Sequence, residues 1–387
     1  TGALLALLPL LLAAGLAGEA RAAVLDPTLE ERLLRASSEE MIPIFVRMEE
    51  QGLKAADYRD MRPLSRKSRV REGARRLQSL AAGSQHDLLR LLAEWEAEGD
   101  AEDIRSLFMV NGVAASVRSW RVLDLLVVPG LAWIGWDPPI DPEQMEDRGP
   151  EPAGGWRRER PQPLREDPQI WWQLDAVRAP ECWAMGYDGS GVLVAVLDSG
   201  CDPEHPDLAT HIYTNPNEIP ADSIDNDGNG YIDDVHGWDF FDGDNTPVGT
   251  GQSDHGTLVT GIVVGDGTQG IRTGVAPGAT ILPVRVLGGS WSVIFDGIGY
   301  SVLMGADVLQ MSISQKWRFL PRPDYAAWRV VADNVMMLGR CHANSIGNEG
   351  DNQATDPVPF NIAAPGNCPS PWLHPDQYLS GGVSGIT

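Results

Sequence analysis

Six consecutive apolar residues, Val192-Leu193-Val194-Ala195-Val196-Leu197, lead directly into Asp198. A strand with one face in water alternates apolar and polar side chains. An unbroken aliphatic run has no wet face and belongs in a parallel sheet covered on both sides. The pattern recurs downstream: strand "ILPVRVL" (281–287), helix "SVIFDGIGYSVLMGA", strand "DVLQMSI" (307–313), then helix "DYAAWRVVADNVMML" (324–338). Strands alternating with helices imply an α/β, doubly wound parallel sheet over residues 169–387. In such sheets the chemistry collects at the carboxyl ends of the strands, where Asp198 stands.

The 387 residues allow more than one domain. Residues 40–137 form a self-contained pattern. "MIPIFVRM" is strand-like, and Leu77, Leu80, Ala81, Ser84, Leu88, Leu91, Leu92 and Trp95 fall on one face of a long amphipathic helix. Strands "SLFMV" and "GVAASV", helix "SWRVLDLLVV" and strand "LAWIGWD" complete a β-α-β-β-α-β, ferredoxin-like α+β unit. Residues 138–168 hold eight prolines and read as a linker, with the basic run "WRRER" inside it. In the opening "TGALLALLPLLLAAGLAGEARA" the apolar stretch Ala3–Ala17 is too short to span a bilayer, Pro9 interrupts it, and an Ala-Arg-Ala cleavage signal follows, so residues 1–23 are expected to be a signal peptide lacking its own start. No later stretch is apolar for long enough to cross a membrane. The four cysteines suit an oxidising compartment; their pairing stays open, with Cys341–Cys368 the favoured pair. No C-x-x-C spacing points to zinc.

Net charge is −24. The balance is −4 over residues 1–165 and −20 over 166–387. The acidic second half disfavours nucleic acid and anionic lipid and favours cations. One loop concentrates this tendency: "DNDGNGYIDD" (225–234) puts Asp225, Asp227, Asn229 and Asp233 around Gly230. Oxygen ligands at alternate positions about a sharp glycine turn suit Ca²⁺. The closing Glu of a full EF-hand loop is replaced by His236, and a solvated acidic turn is the competing reading.

Asp198 could be a turn aspartate, since Asp-Ser-Gly is good turn material. His255, 57 residues on in "DHGT", could be a packed polar residue at a helix start. Together they suggest more. A buried carboxylate fixes the tautomer of an imidazole, whose other nitrogen can then take a proton from a hydroxyl.

"VLVAVLDSGCDPEHPDL", "DHGTLVTGIVVG", "GVAPGATILPVRVL", "GADVLQMS" and "GNEG", in this order, resemble the subtilisin-like serine peptidases. The resemblance covers most of residues 170–387 and implies an Asp-His-Ser triad. It makes Asp198 the orienting carboxylate, His255 the general base and Asn348 of "GNEG" the side-chain donor of an oxyanion hole; by itself Asn348 could be a plain turn residue. It makes Ser312, Ile313 and Ser314 part of the edge that pairs with extended substrate backbone. The family usually has glycine where Ser314 stands, and "RCHANSIG" is more polar than the family's apolar strand. Residues 40–137 resemble the family's inhibitory propeptide, an intramolecular partner besides the polypeptide substrates. Structural calcium also fits the family. The nucleophile is expected in a Gly-Thr-Ser motif, which the sequence lacks; Ser384 in "GGVSGIT" lacks the flanking residues. A secreted endopeptidase precursor cut short before its serine is therefore expected. A non-enzymatic peptide- or matrix-binding relative is the alternative, and a calcium-dependent adhesion module would call for tandem acidic loops where this chain has one.

Overall fold

The computed structural model describes residues 23–141, 169–248, 254–316, 319–348, 362–366 and 368. The expected signal peptide, nearly all of the expected linker and Ser384 lie outside them. The chain divides into two compact units. One takes the residues up to Gly52 together with Arg75–Pro138; the other takes Leu53–Ala74 and everything from Pro139 onward.

The first unit is built on β1 (Val24–Leu25), α1 (Pro27–Arg35) and β2 (Met41–Met48). Asp26 caps α1 and Pro27 opens it, as the missing proline N–H allows. Helix α2 (Ala55–Met61) belongs to the second unit. Helix α3 (Arg66–Ser84) runs across the division, and α4 (His86–Glu98), β3 (Ala101–Leu107), β4 (Gly112–Arg118), a 3₁₀ helix (Val122–Val127) and β5 (Leu131–Trp136) follow. The sheet order is β1-β5-β2-β4-β3, with β1 parallel to β5 and every other pair antiparallel. Ile42, Ile44, Val46, Leu88, Leu92, Trp95, Val113, Val117 and Ile134 fill its core. Each such side chain removed from water contributes roughly 1.5–3 kcal/mol.

Two local expectations change. The periodic face from Leu77 to Trp95 is split between α3 and α4. Gln85, between them, is fully buried: its Nε2 donates to Asn111 Oδ1 (2.9 Å) and Leu107 O (3.4 Å), and its Oε1 accepts from Ser106 Oγ (2.6 Å). A buried amide needs its partners, and Gln85 finds them at the junction of the two helices, where its own N–H still donates to Ala81 O (2.9 Å) and Leu89 N–H donates to Gln85 O (2.8 Å). The stretch "SWRVLDLLVV" forms the short 3₁₀ helix rather than an α-helix.

The second unit carries β6 (Gln169–Ile170), α5 (Trp172–Ala176), α6 (Ala179–Ala184), β7 (Leu193–Asp198), β8 (Trp238–Asp239), α7 (His255–Val264), β9 (Ile271–Arg272), β10 (Thr280–Arg285), α8 (Trp291–Leu303), β11 (Val308–Met311), α9 (Tyr325–Met337) and β12 (Cys341–Asn344). Its main sheet runs β12-β11-β7-β10-β8, parallel throughout, with Thr280–Arg285 in register with Leu193–Asp198. From β7 the chain steps to β10 on one side, then crosses back to β11 on the other. Right-handed crossovers in opposite directions put their helices on opposite faces. Accordingly Val194, Val196 and Ile281 pack with Val259 and Val264 of α7. On the other face Val284, Val286 and Leu197 meet Gly297 of α8. Helix α9 shares that face: Trp328 stacks edge-on against Trp291 and Phe295, with centroids 5.4 and 4.9 Å away. The doubly wound sheet expected from sequence is thus present, and Asp198 ends the strand where the winding reverses.

All four cysteines are free thiols, so the Cys341–Cys368 pairing is not formed. No helix among the described residues is long and apolar enough to cross a membrane.

Candidate active site

Asp198 is fully buried at the carboxyl end of β7. Its Oδ1 lies 2.7 Å from His255 Nδ1 and accepts the Ser199 backbone N–H at 2.8 Å. Its Oδ2 is buried with no hydrogen-bond partner among the described residues. The imidazole opens α7 and is about a quarter exposed.

The meeting of strand and helix is set residue by residue. Gly256 N–H donates to Ser199 Oγ (3.0 Å), and Asp202 N–H donates to Thr257 Oγ1 (3.0 Å). A Cβ on Gly256 would fall 2.0 Å from Gly200 O and 3.2 Å from Asp198 Cβ. Only glycine lets the helix start come this close, so the residue after His255 sets the reach of His255 to Asp198. The neighbouring strand supports the same edge. Val286 and Leu287 N–H groups donate to Asp198 O (2.9 and 3.2 Å). Arg285, in register with Asp198, is held by Asp239 and Asp242 at 2.5 Å each, with its guanidinium over the Phe241 ring. Burial pushes the Asp239 carboxyl upward against the hydrogen bonds that favour its charge. The sequence reading missed this trio; "WDFFDGD" beside an arginine at a strand end was its signal.

Ser312, Ile313 and Ser314 follow β11, and Asn348 follows β12, at the same carboxyl edge as Asp198. Ile313 and Ser314 are buried, and Ser314 Oγ has no hydrogen-bond partner among the described residues. Gln315 next to them exchanges two backbone hydrogen bonds with Ala364 (2.8 and 2.9 Å). Asn348 is exposed. Of the expected residues, the structure joins Asp198 and His255 by direct contact and gives the others a place on one edge by topology.

The acidic loop is arranged differently from the alternate-ligand expectation. Asp225 is taken up by loop amides, accepting from Gly228, Asn229 and Gly230 N–H (2.7, 3.1 and 2.8 Å). Asp233 accepts from Asp222 and Ser223 N–H (3.2 and 3.0 Å). Asn229 turns its amide nitrogen to Asp234 Oδ2 (2.9 Å). The carboxylates that converge are Asp227, Glu218 and Asp234, with ligand oxygens within 4.8 Å of one another. Asp233 has a left-handed backbone, φ 55°, which breaks the alternation and leaves Asp234 in the cluster. Glu218 Oε1 accepts Asn226 and Asp227 N–H (2.9 and 3.1 Å), while its Oε2 is buried without a hydrogen-bond partner among the described residues. Burial pushes the Asp234 carboxyl up, against donors from Tyr300, Asn229 and Asn215. Converging hard oxygen donors with one of them orphaned fit a divalent cation of the calcium class.

Residues 189–374 match the model of the subtilase family, Peptidase_S8. The major intracellular serine protease of Bacillus subtilis (strain 168) is 34% identical over 183 residues, 46% of this chain and 49% of that protein. The minor extracellular protease Vpr of the same organism is 34% identical over 183 residues, 46% of this chain and 20% of that one. Thermitase of Thermoactinomyces vulgaris is 36% identical over 144 residues, 35% of this chain and 42% of that one. The chain therefore spans about half the length of these curated relatives, or less. With the Asp198–His255 contact at the switch point of a doubly wound sheet, residues 189–374 are similar to the subtilase family.

Proposed function

We propose that this chain is the Asp–His-bearing part of a serine endopeptidase that cleaves polypeptides by acyl transfer. The observation that carries the reading is the 2.7 Å contact between His255 Nδ1 and the buried Asp198 Oδ1. With Nδ1–H donating to Asp198, Nε2 is the basic nitrogen, able to take the proton of a serine hydroxyl and pass it to the leaving amine. Asp198 stabilises the imidazolium formed in between. Asn348 donates its amide to the oxyanion, a contribution of about 10²–10³ in turnover as measured in this same family. Ser312, Ile313 and Ser314 pair with the extended substrate backbone. The hydroxyl comes from a Gly-Thr-Ser segment, which the 387 residues do not contain; without it the acyl-enzyme cannot form.

The remaining parts of the reading rest on the sequence and on the similarity to the subtilase family. Residues 1–23 direct export. Residues 40–137 act as a propeptide that inhibits the peptidase, and 138–168 is the segment cut on maturation. Calcium at Glu218, Asp227 and Asp234 serves stability, since these residues belong to a loop away from the Asp198–His255 pair in the sequence. The relatives named above include both an intracellular and an extracellular protease, so export rests on the leader alone.

A fluorophosphonate probe tests the activity. Residues 1–387 should not be labelled, a longer protein carrying Gly-Thr-Ser should be, and His255→Ala in the longer protein should abolish labelling. Labelling of Ser384 in the short chain overturns the assignment of the nucleophile, and unimpaired labelling of the His255→Ala protein overturns the role of His255.

A further inference from the structure

Three segments meet at the carboxyl edge of the main sheet. Residues 312–315 continue from β11, residues 345–347 continue from β12, and residues 363–366 are bonded to both. The Ser345 N–H donates to Met311 O (3.1 Å), and the Ala363 N–H donates to Ile346 O (2.9 Å). Gln315 and Ala364 exchange their two backbone hydrogen bonds, and a Cβ on Gly366 would fall 2.3 Å from Ser345 O. Two hydroxyls are left over in this tight junction. Ser314 Oγ and Ser345 Oγ are buried with no hydrogen-bond partner among the described residues. Gln315 Oε1 is in the same state, although its Nε2 donates to Pro321 O (2.5 Å).

Register fixes which way the hydroxyls face. Val196, Gln310 and Ala343 form one row across β7, β11 and β12, on the face where Val196 packs with α7. Side chains alternate along a strand, so Asp198, Ser312 and Ser345 make the next row on that face, and Ser314 stands one row further. It is the face from which His255 reaches Asp198. The sheet order β12-β11-β7 puts β11 between the strand of Asp198 and the strand that leads to Asn348. A scissile carbonyl held between His255 and Asn348 therefore lies over the end of β11, and the side chain of that substrate residue meets Ser314 and Ser345. Both serines depart from the subtilase pattern: Ser314 stands in place of a usual glycine, and Ser345 belongs to the polar run "RCHANSIG".

We propose that Ser314 and Ser345 form a polar subsite that selects an uncharged amide side chain, glutamine or asparagine, on the substrate residue whose carbonyl is attacked. The proposal rests on the serine-endopeptidase reading above and names its substrate class. An amide offers a donor and an acceptor to the two hydroxyls and a donor to Gln315 Oε1. An apolar side chain would leave these groups buried and unpaired, at roughly tenfold or more in rate for each. None of residues 312–315, 345–348 and 363–366 is charged, so no carboxylate of these segments would neutralise a buried cation. The buried Lys316, next along the chain, disfavours a cationic substrate side chain further.

The test uses the longer protein carrying Gly-Thr-Ser and peptides identical except for Gln, Met or Lys before the cleaved bond. Methionine matches glutamine in length but offers no comparable hydrogen bond. The kcat/KM for Gln should exceed that for Met by about 10- to 100-fold, and Lys should fall below Gln as well. Ser314→Gly combined with Ser345→Ala should lower cleavage after Gln while raising it after Met, a crossover that general damage to the fold would not produce. Should the double variant fail to fold, Ser345→Ala alone takes its place and should lower the Gln-to-Met ratio several-fold. Wild-type preference for Met or Lys overturns the inference, and so does an unchanged ratio in the folded variant. If the longer protein is not labelled by the fluorophosphonate probe, the peptidase reading itself falls, and this inference with it.

Discussion

His342 should make the protein acid-labile in a way that one substitution removes. It lies on β12, 1% exposed, packed against Trp328 with ring centroids 6.5 Å apart, and neither ring nitrogen has a hydrogen-bond partner among the described residues. Burial pushes its pKa from 6.5 down to about 4. The folded-state value is depressed, so the neutral ring is the form the fold accepts. In the unfolded chain the ring binds its proton near 6.5, while the folded protein resists until about 4. Above the unfolded value His342 adds no pH dependence. As pH falls from 6.5 to about 4 the unfolded state binds more protons, and stability drops by at most about 1.4 kcal/mol per pH unit, reaching about 3 kcal/mol. His342→Leu keeps the volume nearly constant and removes the titration. Urea unfolding of both proteins at pH 7.5 and pH 4.5 isolates the effect, because every other titrating group is common to the two and cancels in the difference. The variant should gain about 2–3 kcal/mol on wild type between the two pH values. An equal difference at both pH values would refute the reasoning, since it would mean that His342 titrates alike in the folded and unfolded chain.

Two further outcomes follow from the geometry. Calcium should raise the melting temperature of the wild-type protein, by the equivalent of about 2.7 kcal/mol at 100 times its dissociation constant; Glu218→Gln or Asp234→Asn should remove most of that rise and Asp225→Asn much less, and a rise unaffected by all three places the ion elsewhere. Gly256→Ala should destabilise the fold by about 1–3 kcal/mol, because its Cβ would fall 2.0 Å from a backbone oxygen, and urea midpoints equal to wild type would contradict that close approach.

The main sheet was legible because continuous apolarity in "VLVAVL" admits only a strand covered on both faces, and the position of Asp198 follows from that. The partnership with His255 was legible from motif order; the glycine that permits it was visible as Gly256, but its 2.0 Å constraint was not. What failed to show in the sequence was set by distant contacts or by backbone sign. The division at Gln85 falls inside a periodicity that continues in phase, and the buried Gln85 side chain meets Asn111, 26 residues on. Asp234 replaced Asp233 in the carboxylate cluster because a positive φ shifts which side chain joins it. Glu218 sits outside the quoted loop and was reachable only through folding. The docking of Leu53–Ala74 contradicts chain order, since the segment lies before the linker and its partners after it.

The central claim is that Asp198 holds His255 through Nδ1, which makes Nε2 the basic nitrogen. Nitrogen-15 NMR of the histidine side chains tests it on residues 1–387 directly. The account predicts that neutral His255 carries its proton on Nδ1, with a strongly downfield Nδ1–H resonance that Asp198→Ala removes. A neutral ring protonated on Nε2 in the wild-type protein, or an Nδ1–H signal indifferent to Asp198→Ala, would contradict it.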